Sequence, residues 1–235
     1  MKKLELKKYE IDLDGHTIYL SDLSSSRTLD FVIPEAVVGD EYNTKNIDFK
    51  KGDVVLDIGA NVGSVSIMLA KKYPFLKIYA YEAHPVNYNI LKKNIEDNNV
   101  TNVNAFNYAV YSVDDHFIDI NLNSDNTGAS NVFINPKDHP NLYPSEFSNI
   151  EVPTISLDSI IRTNNIDSIK FIKMDCEGSE FEIIENSNLI SEIKIENLAI
   201  EIHLFMEKYG KNVNNLVNIL DEVTTNDVLI KYSGL

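Results

Sequence analysis

The chain of 235 residues contains one cysteine, Cys176. No intramolecular disulfide can form, which fits a reducing compartment. Long apolar runs are missing as well. No stretch approaches the roughly 18 apolar residues that a membrane-spanning helix needs. The early lysines (Lys2, Lys3, Lys7, Lys8) are followed by no apolar segment of the secretory type. We therefore expect a cytoplasmic protein with no membrane span. Positive charge is scarce: 21 Lys and Arg stand against 36 Asp and Glu, a net charge of −15. Such a field repels phosphate backbones and counts against a nucleic-acid partner. The histidines (His16, His84, His116, His139, His203) include no pair at helical i, i+4 spacing, so no zinc motif is present and no metal is expected.

What is present is an ordinary soluble composition, 43% hydrophobic and 24% charged, at a length that α/β folds reach as one unit. Residues 4–22 read as a hairpin about Asp14-Gly15. Residues 28–49 are less regular, and Pro34 argues against one continuous helix there. We set residues 1–49 apart as a hairpin and helical extension and 50–235 as the main domain. In that domain, strands are expected at 53–58, 77–82, 103–110, 117–122, 151–155, 169–175, 198–203 and 227–232. Helices are expected at 62–72, 86–98, 157–164, 179–186 and 212–222. This alternation predicts a mainly parallel sheet covered on both faces. Ligands then bind beyond the carboxyl ends of the strands, where strand order reverses. Asp57, Glu82, Asp175 and Glu201 all fall at such ends, so they should collect along one rim.

The most informative stretch is Val54-Val55-Leu56-Asp57-Ile58-Gly59-Ala60-Asn61-Val62-Gly63. It reads as strand, tight turn and helix start, with Gly59 and Gly63 letting backbone amides approach a ligand. It does not match G-x-G-x-x-G, because position 57 is Asp and position 62 is Val, and this weakens a nicotinamide cofactor. Glu82 ends the next strand, where an acid in a doubly wound sheet holds ribose hydroxyls. Lys173-Met174-Asp175-Cys176-Glu177-Gly178-Ser179-Glu180 gathers acids at a third strand end, where a cationic ligand would relieve repulsion. Glu177 and Glu180 could equally serve as helix N-terminal acids complementing the macrodipole. Cys176 reads as a small buried residue rather than a nucleophile. Glu201 and His203, two apart on a strand, project together, and His203 suits proton transfer near neutral pH.

Taken together, Asp57 to Gly63, Tyr81-Glu82-Ala83-His84-Pro85, Phe171 to Glu180 and Glu201-Ile202-His203 resemble the FkbM family of methyltransferases, over about residues 50–205. The Lys173–Glu180 segment, close to the family's K-x-D-x-E-G-x-E, is the specific part. The resemblance implies a class I, Rossmann-like methyltransferase fold with seven strands, the last antiparallel, and S-adenosyl-L-methionine as cofactor. It implies that Asp57, Gly59, Asn61 and Gly63 hold the methionine end and that Glu82, beside Ala83, holds the ribose. Asn107, Tyr108 and Ala109 would lie near adenine, and Asp175 near the methyl group. It also implies O-methylation of a small molecule or sugar.

His203, oriented by Glu201, or else Asp175, is then expected to remove the acceptor proton. A divalent ion held by Asp175 and Glu201 is the rival way to lower the hydroxyl pKa. The polar stretch 123–149, with Gly128-Ala129-Ser130, is expected to act as a lid over the acceptor. An NAD-linked oxidoreductase and a non-catalytic binding module are the competing functions. The oligomeric state stays open, a homodimer included.

Overall fold

In the computed structural model, residues 5–121 and 149–233 are described. The expected lid therefore lies, apart from Asn149, outside the described residues. The chain opens with the expected hairpin, β1 (Leu6–Leu13) and β2 (His16–Leu23), paired antiparallel. Its turn residues Asp14 and Gly15 have φ of 49° and 81°. A two-residue hairpin loop needs this handedness to match strand twist. Helix α1 (Thr28–Val32) then widens into a π-helical stretch, Ile33–Val38. Pro34 lies at its start and has no N–H to continue the α-helical ladder.

The α/β core follows: β3 (Val54–Ile58), α2 (Ser64–Lys72), β4 (Lys77–Tyr81), α3 (Pro85–Asp97) and β5 (Val103–Phe106). After β6 (Ala109–Tyr111), β7 (Phe117–Asn121) and β8 (Asn149–Ser156) come α4 (Leu157–Thr163), β9 (Ser168–Met174) and α5 (Glu180–Glu185). Then β10 (Lys194–His203), α6 (Val213–Val223) and β11 (Thr224–Ser233) close the described chain. The main sheet runs β11-β10-β9-β3-β4-β5, and every pair in it is parallel. The chain builds outward from β3 through β4 to β5, then restarts on the other side of β3 with β9. The order thus reverses between β3 and β9, which is where the crevice of such a sheet opens.

The strand residues alternate between two cores. Leu56, Ile58, Ile172 and Met174 pack with Ile160 of α4, Phe181 of α5 and Leu216 of α6. Val55 and Phe171 face the other way and pack with Ile67 of α2 and Ile18 and Leu20 of the hairpin. Helices therefore cover both faces, as expected. The N-terminal extension shares the second core with α2. Polar ties reinforce that contact. Asn94 of α3 is fully buried; its Oδ1 accepts from the Ser21 N–H at 2.8 Å, and its Nδ2 donates to the carbonyls of Ser21 at 3.0 Å and Val62 at 2.8 Å.

Two expectations are corrected. The single strand expected at 103–110 is divided. Asn107 donates from Nδ2 to the carbonyls of Glu82 and Ala83, at 2.8 and 2.9 Å. This pins the chain at the rim, and β6 leaves for a second sheet of order β6-β8-β7. The implied antiparallel last strand is not found either. Among the described residues the main sheet has six strands, and β11 pairs with β10 in parallel. The reason is the connection: α6 carries the chain back along the sheet before β11 begins, and a helical crossover returns the chain in the same direction.

The Asn94 ties generate a prediction. Asn94→Ala would strand buried backbone groups of Ser21 and Val62, each costing about 1–3 kcal/mol. We expect a loss of about 3 kcal/mol in urea denaturation, together with earlier proteolytic cleavage near the hairpin. An unchanged midpoint would show that the hairpin is not anchored in this way.

Candidate active site

The register of β3 against β9 sets Asp57 opposite Lys173. Both are buried, at 1% and 5% exposure. The Lys173 Nζ donates to the Gly59 carbonyl at 2.6 Å and lies 3.6 Å from Asp57 Oδ1 and 3.8 Å from Asp175 Oδ2. Burial disfavours its charge, but Asp57, Tyr42 and Asp175 more than offset this and hold the ammonium well above the ordinary lysine range. Asp57 Oδ2 accepts from the Ser66 hydroxyl at 2.6 Å, while its Oδ1 is buried without a hydrogen-bond donor.

The turn after β3 is sterically determined. Gly59 has φ +77°, and a Cβ built there would lie 1.8 Å from the Asp175 carbonyl oxygen. No side chain fits, so β3 and β9 can end this close together only with glycine at this position. The amides of this loop do not present themselves to a ligand, contrary to the expectation from sequence. Those of Gly59 and Ala60 donate to Tyr81 O, and that of Gly63 donates to Ala60 O. The Asn61 N–H donates to Glu82 Oε2 at 2.7 Å, and the Val62 N–H to Asn61 Oδ1 at 2.7 Å.

Glu82 is buried at the end of β4. Besides the Asn61 amide, it accepts the His84 N–H on Oε1 at 2.8 Å. Burial pushes its carboxyl up to about 7, against the lowering effect of those two bonds and of Lys173.

The third group forms where α5 meets β10. His203 is 4% exposed. Its Nδ1 lies 3.1 Å from Glu180 Oε1 and its Nε2 3.5 Å from Glu177 Oε2. The groups that hold its ring are thus Glu180 and Glu177, and not Glu201 as expected from strand spacing. Burial lowers the His203 pKa, but Glu180 and Glu177 dominate and bring it up to about 10. Burial likewise pushes Glu177 up to about 8, opposed by His203 and reinforced by Asp175 and Glu180. Glu201 is raised by burial and by Asp175. Burial and Glu180 drive the Cys176 thiol well up, which suits an inert small residue.

A cavity of about 290 Å³ opens at this rim. Asp57, Gly59, Asn61, Glu82, Ala83, Ala109 and Asp175 line it, whereas Gly63, Asn107, Glu201 and His203 are not part of its lining. Tyr108, of the segment expected near adenine, lines it as well, and so do residues without an expected site role: Lys173, Glu177, and from the N-terminal extension Phe31, Val32 and Tyr42. Lys173 carried a signal, being a charge inside an otherwise apolar strand. Nothing local marked the residues of the extension.

A parallel sheet with an acid-lined cavity at its switch point defines a Rossmann-like α/β protein of the ligand-binding kind. The family model described as "Methyltransferase FkbM domain" matches residues 57–225. The chain therefore belongs to the FkbM family of S-adenosylmethionine-dependent methyltransferases. "Methyltransferase 1" of Beauveria bassiana (strain ARSEF 2860) is 20% identical over 201 residues, covering 80% of this chain and 79% of that protein. "Methyltransferase sdnD" of Sordaria araneosa is 34% identical over 65 residues, only 28% of this chain and 24% of its own length. Among solved structures, precorrin-6y C5,15-methyltransferase from Geobacter metallireducens GS-15 aligns at 17% identity and a TM-score of 0.39, covering 76% of this chain and 65% of that one.

The buried pair generates the next prediction. Lys173→Met leaves Asp57 and Asp175 uncompensated and should cost about 3–5 kcal/mol in urea denaturation. Adding Asp57→Asn should recover part of that loss. A double variant as unstable as the single one would show that Lys173 acts through packing rather than charge.

Proposed function

We propose that this chain transfers the methyl group of S-adenosylmethionine to a hydroxyl of a small molecule or saccharide. The observation that carries this reading is the cavity wall, with Glu82 on one side of the β3 loop and Asp57 and Asp175 on the other. When bound, S-adenosylmethionine supplies a methyl group activated by its sulfonium charge. The donor set fits such a ligand, since the carboxylates of Asp57, Glu82 and Asp175 all line the wall that would face a cation. Glu82 keeps lone pairs beyond those taken by Asn61 and His84, and these would accept the ribose hydroxyls. Each such bond to a charged group contributes about 1.5–3 kcal/mol. Tyr108 and Ala109 would flank the base. Because the loop amides are engaged internally, the N-terminus of α2, where Ser64 and Val65 line the cavity, is the place for a ligand carboxylate. Gly59, Asn61 and Gly63 then act by shaping the loop.

A hydroxyl acceptor is favoured by two carboxylates of the cavity lining, Asp175 and Glu177. A neutral hydroxyl is a weak nucleophile until its proton is drawn away, whereas a neutral amine can attack first and lose its proton afterwards. Alignment of acceptor and donor contributes about 7–11 kcal/mol, and help with the proton a further factor of about 10²–10⁴. We assign the proton to Asp175, which lines the cavity and whose side chain is 28% exposed.

Two outcomes are expected. Affinity for S-adenosylhomocysteine, followed by calorimetry from pH 5.5 to 8, should rise about tenfold per unit below pH 7 and then level off. The sign follows from Glu82, which must lose its proton before both oxygens can accept. In Glu82→Gln, binding should be weaker by about tenfold to a hundredfold and the pH slope absent. With S-adenosylmethionine and a panel of alcohols and sugars, mass spectrometry should find O-methylated products, and Asp175→Asn should cut their formation about 10²–10⁴-fold. Failure to bind S-adenosylhomocysteine at millimolar concentration would refute the cofactor reading. Products methylated only on nitrogen would refute the acceptor reading.

A further inference from the structure

We infer that Asp175, Glu177 and His203 form a divalent-cation site at the acceptor end of the cavity. The inference rests on the methyl-transfer reading for its purpose but on separate geometry for its existence. One ligand atom from each of the three side chains lies within 4.8 Å of the others. Donors about 2.1 Å from one shared ion stand about 3–4 Å apart. Closure thus asks for a small contraction, and the Asp175 and Glu177 side chains, 28% and 27% exposed, have room for it.

The histidine is arranged as a ligand rather than as a filler of the core. Its Nδ1 meets Glu180 Oε1 at 3.1 Å, and that same oxygen accepts the Cys176 N–H at 2.9 Å. Nε2 is thereby turned toward Glu177. A carboxylate that holds one ring nitrogen so that the other points at a shared centre is the outer-shell pattern of metal-binding histidines. Glu180, which holds the ring, has a second oxygen to account for. Glu180 is 0% exposed, and its Oε2 has no hydrogen-bond partner. A buried carboxylate needs positive charge beside it, which the His203 ring supplies when protonated and a bound ion would supply in its place. Lys173 does not fill the need, since its Nζ is committed to Gly59 O, Asp57 and Asp175.

Two carboxylates and an imidazole, with positions left for water and an acceptor, suit a borderline ion such as Mn²⁺ or Zn²⁺. Because Asp175 and Glu177 line the cavity, a cation held there would meet the acceptor hydroxyl and lower its pKa. Glu201, the partner expected from sequence for a bridging ion, is not in the cluster.

The test is direct binding to the full chain, with Mn²⁺ followed by electron paramagnetic resonance and Zn²⁺ by calorimetry. One ion per chain is expected. Glu177→Gln and His203→Gln should each weaken it at least 100-fold, and Glu180→Gln about 10–100-fold. In all three variants S-adenosylhomocysteine should still bind within about threefold of the parent, which also reports an intact fold. A parent that binds S-adenosylhomocysteine but neither ion at millimolar concentration overturns this inference and leaves the function untouched. Equal ion affinity in parent and Glu177→Gln, a substitution at a part-exposed position, overturns the assignment of ligands. A parent that binds an ion but no S-adenosylhomocysteine upholds the site and removes the function proposed for it.

Discussion

The Lys173 ammonium, buried between Asp57, Asp175 and the Gly59 carbonyl, is the interaction on which the rest of the rim depends. Two carboxylates at the ends of neighbouring strands would repel each other in a medium of low dielectric. Lys173 stands between them and also fastens the loop that follows β3. With that loop fixed, the Asn61 amide meets Glu82, and the end of β4 is tied to the end of β3. One cation therefore organises three strand ends. It does so because parallel register brings position 173 opposite position 57.

Acidic side chains left over after this pairing account for the character of the cavity. Glu82 is held near neutrality by burial, and Glu177 and Glu201 are raised by burial and by their acidic neighbours. The wall thus presents carboxyls that positive charge from a ligand would help to ionise. The excess divides into two places, one along the β3–β4 loops and one where α5 meets β10.

Much of the architecture was legible in sequence because it is written locally. The alternation of apolar runs with helical patterns, Asp14-Gly15 in its hairpin and Pro85 at the first turn of α3 each follow from a few adjacent residues. Asp57, Glu82 and Asp175 could be placed on one rim because a parallel sheet aligns its strand ends. Direction and pairing were less legible. The break after Phe106 came from Asn107 bonding to carbonyls more than twenty residues earlier. The direction of β11 came from its connection, since its own residues suit either pairing.

The sequence by itself determined the fold class, the family and the list of acids at the strand ends, because hydrophobic period and short motifs depend on neighbouring residues. Tertiary structure alone decided which charges meet: that Lys173 bridges Asp57 and Asp175, that His203 is held by Glu180 and Glu177 rather than Glu201, and that the N-terminal extension walls the cavity. Coulombic and hydrogen-bond partners are chosen by distance in space, and distance in space is set by strand register and helix crossing, which no local pattern encodes.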